Sequence, residues 1–258
     1  MVKAIFFDID GTLVSFKTHQ VPESTVQAID LLRQKGIKLF IATGRHLMAI
    51  NNLGSLKFDG YVTLNGSYCF AGKDEVIYKH AIPQQDLDSL ISYQENVEKF
   101  PCIFVQESAM YLNYKNDAVI EILDLLDFPE PPQRPLREVP PSDVFQLIAF
   151  FNEGQEERIM KVLPGCASTR WSPLFTDVVP AGGSKRIGIQ KVLDYYNLSV
   201  DEIMAFGDGG NDLEMLSFVG NGIAMGNAED EVKQVANYVT DSVDEDGIYN
   251  ALKHFGVI

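Results

Sequence analysis

The chain has 258 residues, enough for a sizeable core and for two domains. Hydrophobic residues make up 46% and charged residues 22%, the balance of a globular rather than a disordered protein. A net charge of −15 is a poor match for a nucleic-acid backbone or an anionic lipid surface, so neither is an expected partner.

The first segment alternates strand and helix. "KAIFFDID" (3–10) is the continuous apolar run of a strand buried on both faces. "VPESTVQAIDLLRQKG" (21–36) has Pro22 near its start, Gly36 past its end, and Val26, Ile29 and Leu32 at helical spacing. "IKLFIAT" (37–43) and "FDGYVTLNGS" (58–67) are further strands, the second closed by Asn65-Gly66. From about Pro83 to Pro180 the pattern changes. Helices at 84–98 and 115–127 lie between short strands such as "CIFVQES" and "FQLIAFF", and a proline-rich stretch at 127–143 rules out a regular element there. The alternation then resumes. "SKRIGIQKVLDYYNL" (184–198) is a helix with Ile189, Val192, Leu193 and Tyr196 on one face. "EIMAFGD" (202–208) is a strand and "NDLEMLSFVG" (211–220) a short helix. "GIAMG" (222–226) is a strand and "AEDEVKQVANYV" (228–239) a helix, with "DSVDEDG" (241–247) a solvated loop. The expected architecture is an α/β, Rossmann-like parallel-sheet core from residues 1–83 and 181–258, with an α+β cap, 84–180, inserted into it.

"MVKAIFF" runs straight into a strand with no signal peptide ahead of it, and no apolar run reaches the ~18 residues of a membrane span. Cys69, Cys102 and Cys166 are scattered and read as small buried thiols in a reducing compartment. A cytoplasmic location is expected. His19, His80 and His254 have no metal spacing, and His46 reads as a surface residue.

The chemistry lies at strand ends, where open parallel sheets bind ligands. Asp8 and Asp10 close the first strand, Thr43 with Gly44 and Arg45 the second, Asn65 the third, and "GDGGND" with Asp208, Asn211 and Asp212 a fourth. Four carboxylates in one crevice cannot all stay ionised without a cation. Oxygen ligands favour a hard ion, and Mg2+ suits a site that keeps waters and a phosphate in its shell. Other readings of these residues are plainer. Thr43 could cap a helix, Lys185 could be a surface lysine, and Asp212 could cap a helix or support Asp208 and Asn211. Ser184 could cap the helix that Lys185 begins, and Arg45 could reach a substrate or pair with a carboxylate of its own domain.

"DIDGT", "ATGR", "GSK" before a helix, and "GDGGND", in that order, resemble the four motifs of the haloacid dehalogenase superfamily of phosphohydrolases. With "LNGS" and "MGNA", and an insertion between the second and third motifs, the chain resembles the Cof-like sugar-phosphatase branch. The resemblance implies Asp8 as the nucleophile that forms an aspartyl-phosphate and Asp10 as general acid and then base. Thr43, Gly44, Lys185 and Asn211 would hold the phosphoryl group. Asp8, the Asp10 carbonyl and Asp208 would bind Mg2+, with Asp212 behind them. Arg45 and Asn65 are candidate substrate contacts. The partner would be a small phosphate ester, sugar phosphates first. The cap would act as a lid and set specificity, with Arg170 and Trp171 placed to meet a sugar face. Nothing in the sequence sets the oligomeric state, and a monomer is compatible with it.

Two rivals remain. A phosphohexose mutase of the same superfamily would isomerise a sugar phosphate instead of releasing phosphate. A phospho-acceptor receiver module also combines an aspartate, Mg2+, a threonine and a lysine. Its acceptor, however, would not sit on the first strand before Gly-Thr, nor would an inserted domain interrupt its sheet.

Overall fold

The computed structural model describes residues 1–72, 75–125, 128–139 and 143–258, with Trp171 by its backbone alone. Two compact units divide the chain, one from 1–79 with 184–258 and one from 80–183.

The first unit begins with β1 (Ala4–Phe7), α1 (Glu23–Gln34), β2 (Lys38–Ala42), β3 (Gly60–Thr63), β4 (Tyr68–Ala71) and β5 (Glu75–Lys79). The second unit contributes α2 (Gln84–Asn96), β6 (Cys102–Gln106), β7 (Met110–Leu112), α3 (Asp117–Leu125), β8 (Val144–Ala149), α4 (Glu153–Met160), β9 (Cys166–Ser172) and β10 (Phe175–Pro180). The chain then returns with α5 (Lys185–Tyr196), β11 (Ile203–Gly207), α6 (Leu213–Phe218), β12 (Asn221–Ala224), α7 (Asp230–Val235), β13 (Tyr238–Val239) and α8 (Gly247–His254).

The first unit holds one sheet in the order β13-β12-β11-β1-β2-β3-β4-β5. It is parallel from β13 to β3, and β4 and β5 extend it antiparallel, with β5 at the edge. Every residue of β1 is buried, and the two-residue period divides them between two cores. Ile5 and Phe7 pack with Ala28, Ile29 and Leu32 of α1 and Ile248, Ala251 and Leu252 of α8. Ala4 and Phe6 pack on the other face with Ile189, Val192 and Leu193 of α5 and Met215 and Leu216 of α6. Gly36, at φ 74°, ends α1 in the left-handed conformation that a side chain would resist.

The second unit is an antiparallel sheet, β7-β6-β8-β10-β9. Leu87 and Leu90 of α2 and Ile159 of α4 share a core with Cys102, Phe104 and Leu147. In the proline-rich stretch, the described part carries one short 3-10 turn, Leu136–Glu138.

Three expectations about elements are corrected. The sequence after Asn65-Gly66 forms β4 and β5, which the apolar-run reading passed over. Residues 228–239 divide into α7 and β13, because the chain after Val235 leaves the helix to pair with β12. The 241–247 stretch includes a 3-10 turn, Val243–Glu245, in which Val243 is buried in the first core. Cys69 and Cys102 are buried, but Cys166 is only partly so. No described helix is long and apolar enough to cross a membrane.

Candidate active site

β11, β1, β2 and β3 are neighbours and parallel, so their carboxyl ends share one edge of the sheet. Asp208, Asp8, Thr43 and Asn65 follow these strands at that edge.

Lys185, the first residue of α5, has a fully buried side chain. Its Nζ donates to Asp8 Oδ1 at 2.6 Å and to Asp212 Oδ1 at 2.7 Å. The second Asp212 oxygen accepts from the backbone amides of Asp208, at 2.9 Å, and Gly209, at 3.0 Å. Asp212 therefore holds both the lysine and the loop that carries Asp208. Asp208 is itself oriented on both oxygens. Thr12 Oγ1 donates to Oδ1 at 2.8 Å, and Asn227 Nδ2 donates to Oδ2 at 3.2 Å. Asp8 Oδ2 accepts no hydrogen bond from the described residues.

Asp8, Asp208 and Asp212 each present an oxygen within 4.8 Å of the others. Three buried carboxylates face one ammonium, and the charges resist one another. Burial, aided by the Asp212 and Asp208 carboxylates, pushes the Asp8 carboxyl up to about 7 despite Lys185. Burial also pushes Asp208 up to about 6 despite the Thr12 hydrogen bond, with Asp212 adding to the rise. For Lys185, burial alone would lower the pKa, but Asp212 and Asp8 outweigh it and hold the group above its ordinary value. An all-oxygen cluster with excess negative charge and one free carboxylate oxygen fits a hard divalent cation such as Mg2+. Asp8 and Asp208 are the residues available for it, because both Asp212 oxygens are already engaged.

Asp10 stands outside this cluster of three carboxylates, although its charge is near enough to add to the rise at Asp208. The chain turns at Gly11, φ 79°, and the Asp10 carboxylate pairs with Arg45 instead. Arg45 Nη1 also donates to the Ala49 carbonyl at 2.7 Å, which anchors the guanidinium to its own loop. Of the two readings of Arg45, the ion pair is the one the structure contains.

Thr43 is buried, and its Oγ1 accepts from the Arg45 amide at 3.1 Å in a local turn, not at the head of a helix. Asn65, at φ 51°, takes the left-handed conformation and accepts from Asn211 Nδ2 at 3.0 Å. That bond joins the third strand end to the loop after β11. Gly44 lies against the Asn65 amide, where an added Cβ would come within 3.1 Å of Oδ1.

Other side chains have partners that the sequence does not reveal. Ser184 precedes α5 but does not cap it; its hydroxyl donates to Glu214 at 2.7 Å. His46 is buried, and its Nδ1 accepts from the Met48 amide at 3.1 Å. The Arg170 guanidinium pairs with Glu156 and donates to the Phe151, Ser172 and Phe175 carbonyls, which leaves it ill suited to meeting a sugar. The Trp171 side chain lies outside the described residues. No histidine joins a metal-ligating cluster among the described residues. The sequence reading passed over Thr12 and Asn227 as site residues. Thr12 is the last residue of "DIDGT" and Asn227 lies within "MGNA", but the contacts of Thr12 with Asp208 and of Asn227 with Gly11 join residues remote in the chain.

A model of the haloacid dehalogenase-like hydrolase family matches residues 5–252. The chain belongs to that family. This hydrolase is 36% identical over 260 residues to YkrA of Bacillus subtilis (strain 168), covering 99% of this chain and 98% of that one. It is 44% identical to the structure of BT4131, described as a subclass IIB sugar phosphatase of the haloacid dehalogenase superfamily, with both chains fully covered and a TM-score of 0.85. It is also 28% identical over 266 residues to the 5-amino-6-(5-phospho-D-ribitylamino)uracil phosphatase YitU of Bacillus subtilis (strain 168), covering 97% and 96% of the two chains. Its activity is that of a phosphoric monoester hydrolase.

Proposed function

We propose that this hydrolase is a Mg2+-dependent phosphatase of small phosphorylated metabolites, sugar phosphates foremost, working through an aspartyl-phosphate on Asp8. The observation that carries the reading is the state of Asp8. One of its oxygens is fixed by Lys185, and the other accepts no hydrogen bond among the described residues. It therefore presents a nucleophile already oriented.

Asp8 and Asp208 would hold the cation, with the Asp10 carbonyl as a third ligand. When bound, Mg2+ supplies positive charge that offsets the repulsion between a carboxylate and a phosphoryl group. The remaining steps belong to the chain's own residues. An Asp8 oxygen attacks phosphorus as the bond to the ester oxygen breaks, and Asp10 gives its proton to that leaving oxygen. Water then attacks the aspartyl-phosphate, Asp10 takes a proton from it, and the bond to Asp8 breaks to release phosphate. Lys185 keeps positive charge beside the transferring group, and Thr43, Gly44 and Asn211 are its other holders. Residues 80–183, inserted between the second and third motifs, are our candidates for choosing the leaving group.

Sugar phosphates are favoured over other esters by the likeness to BT4131. The test is a phosphate-release screen over sugar phosphates, nucleotides and cofactor phosphates, with Mg2+ and with chelator. Asp8→Asn should abolish turnover. Acid quenching of the unaltered enzyme should trap one phosphoryl group on the peptide that carries Asp8. Full turnover in chelator would defeat the metal assignment. Isomerised sugar phosphate without phosphate release would favour the mutase.

A further inference from the structure

We infer that Asn227 is a positioning residue for the metal carboxylate, its side-chain amide fixing Asp208 and the Gly11 carbonyl in the arrangement that receives the cation. The inference rests on the reading of Asp208 as a Mg2+ ligand.

Asn227 lies in the turn between β12 and α7. The backbone presses that turn closely against the next passage of the chain. Gly226 donates to the Asp241 carbonyl at 3.0 Å, and a Cβ at Gly226 would fall 2.6 Å from the Ser242 nitrogen. From this turn one amide reaches three segments. Nδ2 donates to the Gly11 carbonyl at 2.8 Å and to Asp208 Oδ2 at 3.2 Å, while Oδ1 accepts from the Val243 amide at 2.9 Å. The orientation has one solution. A flipped amide would set Oδ1 against two oxygens and Nδ2 against an N–H. An aspartate would meet the same conflict, with a full negative charge beside Asp208.

Thr12 completes the arrangement from the other oxygen of Asp208. Gly11 and Thr12 belong to the loop that follows Asp8, so the two donors lock Asp208 to the Asp8 segment. Each Asp208 oxygen accepts one such hydrogen bond and keeps a lone pair for a cation. Groups that orient metal ligands in this way typically govern affinity about 10- to 100-fold. Asn227 is solvent-exposed, so its truncation leaves no cavity, and a change in metal binding would report the hydrogen bonds.

The experiment titrates Mg2+ into the full-length protein by calorimetry and measures phosphate release in parallel. Asn227→Ala should weaken Mg2+ binding about 10-fold. Phosphate release at limiting Mg2+ should fall with the lost occupancy. Asp244→Ala is the companion variant. It removes the contacts of Asp244 with Ser15, at 2.6 Å, and Lys17, at 2.8 Å, and so loosens the Val243–Glu245 turn that Asn227 also holds, without touching Asp208 or Gly11. Its Mg2+ affinity should be unchanged. Unaltered affinity in Asn227→Ala overturns the inference, as does equal weakening in Asp244→Ala, which would make Asn227 a strut of the turn. Absence of Mg2+ binding in the unaltered protein defeats the metal reading itself.

Discussion

Arg45 grips Asp10 through two parallel hydrogen bonds, Nε to Oδ2 and Nη2 to Oδ1, both 2.7 Å. The fork geometry fixes the direction of the carboxylate and not merely its position. Because the pair is partly exposed, with side-chain exposures of 32% and 38%, its contribution to stability is small and its effect should fall on catalysis.

That relationship makes a kinetic prediction. Asp10→Asn should slow sugar-phosphate hydrolysis by about 10²–10⁴, the usual contribution of a positioned acid. The burst of nitrophenol from p-nitrophenyl phosphate should hardly change, because that leaving group needs little protonation. Arg45→Lys keeps the charge but loses the fork, and should follow the same pattern more weakly. In the double variant the Arg45 effect should vanish, as expected of residues acting through one group. Pre-steady-state kinetics on both substrates reads this out. Additive losses would separate Arg45 from Asp10.

Lys185→Met should be costly to the fold as well as to activity. Its removal leaves Asp8 and Asp212 buried without their shared cation, and breaking such a buried pair typically costs about 3–5 kcal/mol. The loss should be greatest above pH 7 and smaller near pH 5, where Asp8 can take up a proton. Urea unfolding at the two pH values tests this. A loss that does not vary with pH would count against the electrostatic account.

Mg2+ should stabilise the protein more at high pH than at low pH. The Asp8 carboxyl is raised from 3.8 to about 7, and that of Asp208 from 3.8 to about 6, chiefly by burial. A carboxyl raised in the folded state contributes stability that is complete below its unfolded pKa. That contribution is lost as pH rises through the folded value. Without metal, these two groups therefore cost stability progressively from about pH 4 to about pH 7. The cation needs them deprotonated, and its binding offsets the loss. The gain in Tm on adding Mg2+ should be small at pH 5 and large at pH 8. A gain independent of pH would show that these carboxylates are not its ligands.

Gly11→Ala should empty the site of metal while leaving the sheet folded. A Cβ at this position would fall 2.1 Å from Asp208 Oδ2, and the backbone φ of 79° is one that alanine resists. Strain and overpacking together should cost about 2–4 kcal/mol, relieved by movement of the Asp208 side chain or the loop. Circular dichroism should be retained and calorimetric Mg2+ binding lost. Near-normal Mg2+ affinity would mean that the loop yields without disturbing Asp208.

The amino-acid sequence by itself determined the parts of this protein that depend on local pattern. Apolar runs such as "AIFF" and "LFIA" specify strands buried on both faces, because a two-residue period with no polar member leaves no face for water. The helical spacing of Ile189, Val192 and Leu193 likewise predicts the buried face of α5. Polar residues directly after such strands already marked Asp8, Thr43, Asn65 and Asp208 as one edge of a parallel sheet. Tertiary structure alone decided what those side chains face. β4 is buried throughout and β5, at the sheet edge, is exposed or half-buried, yet both take their form from antiparallel partners. Asp10 meets Arg45 and not the other carboxylates, because a backbone turn at Gly11 sets its direction. Thr12 reaches Asp208 across 196 residues, and Asn227 reaches Gly11 across 216. Periodicity reports how deeply a stretch is buried. It carries no information about which distant donor closes on which oxygen, since strand order and loop conformation bring those atoms together.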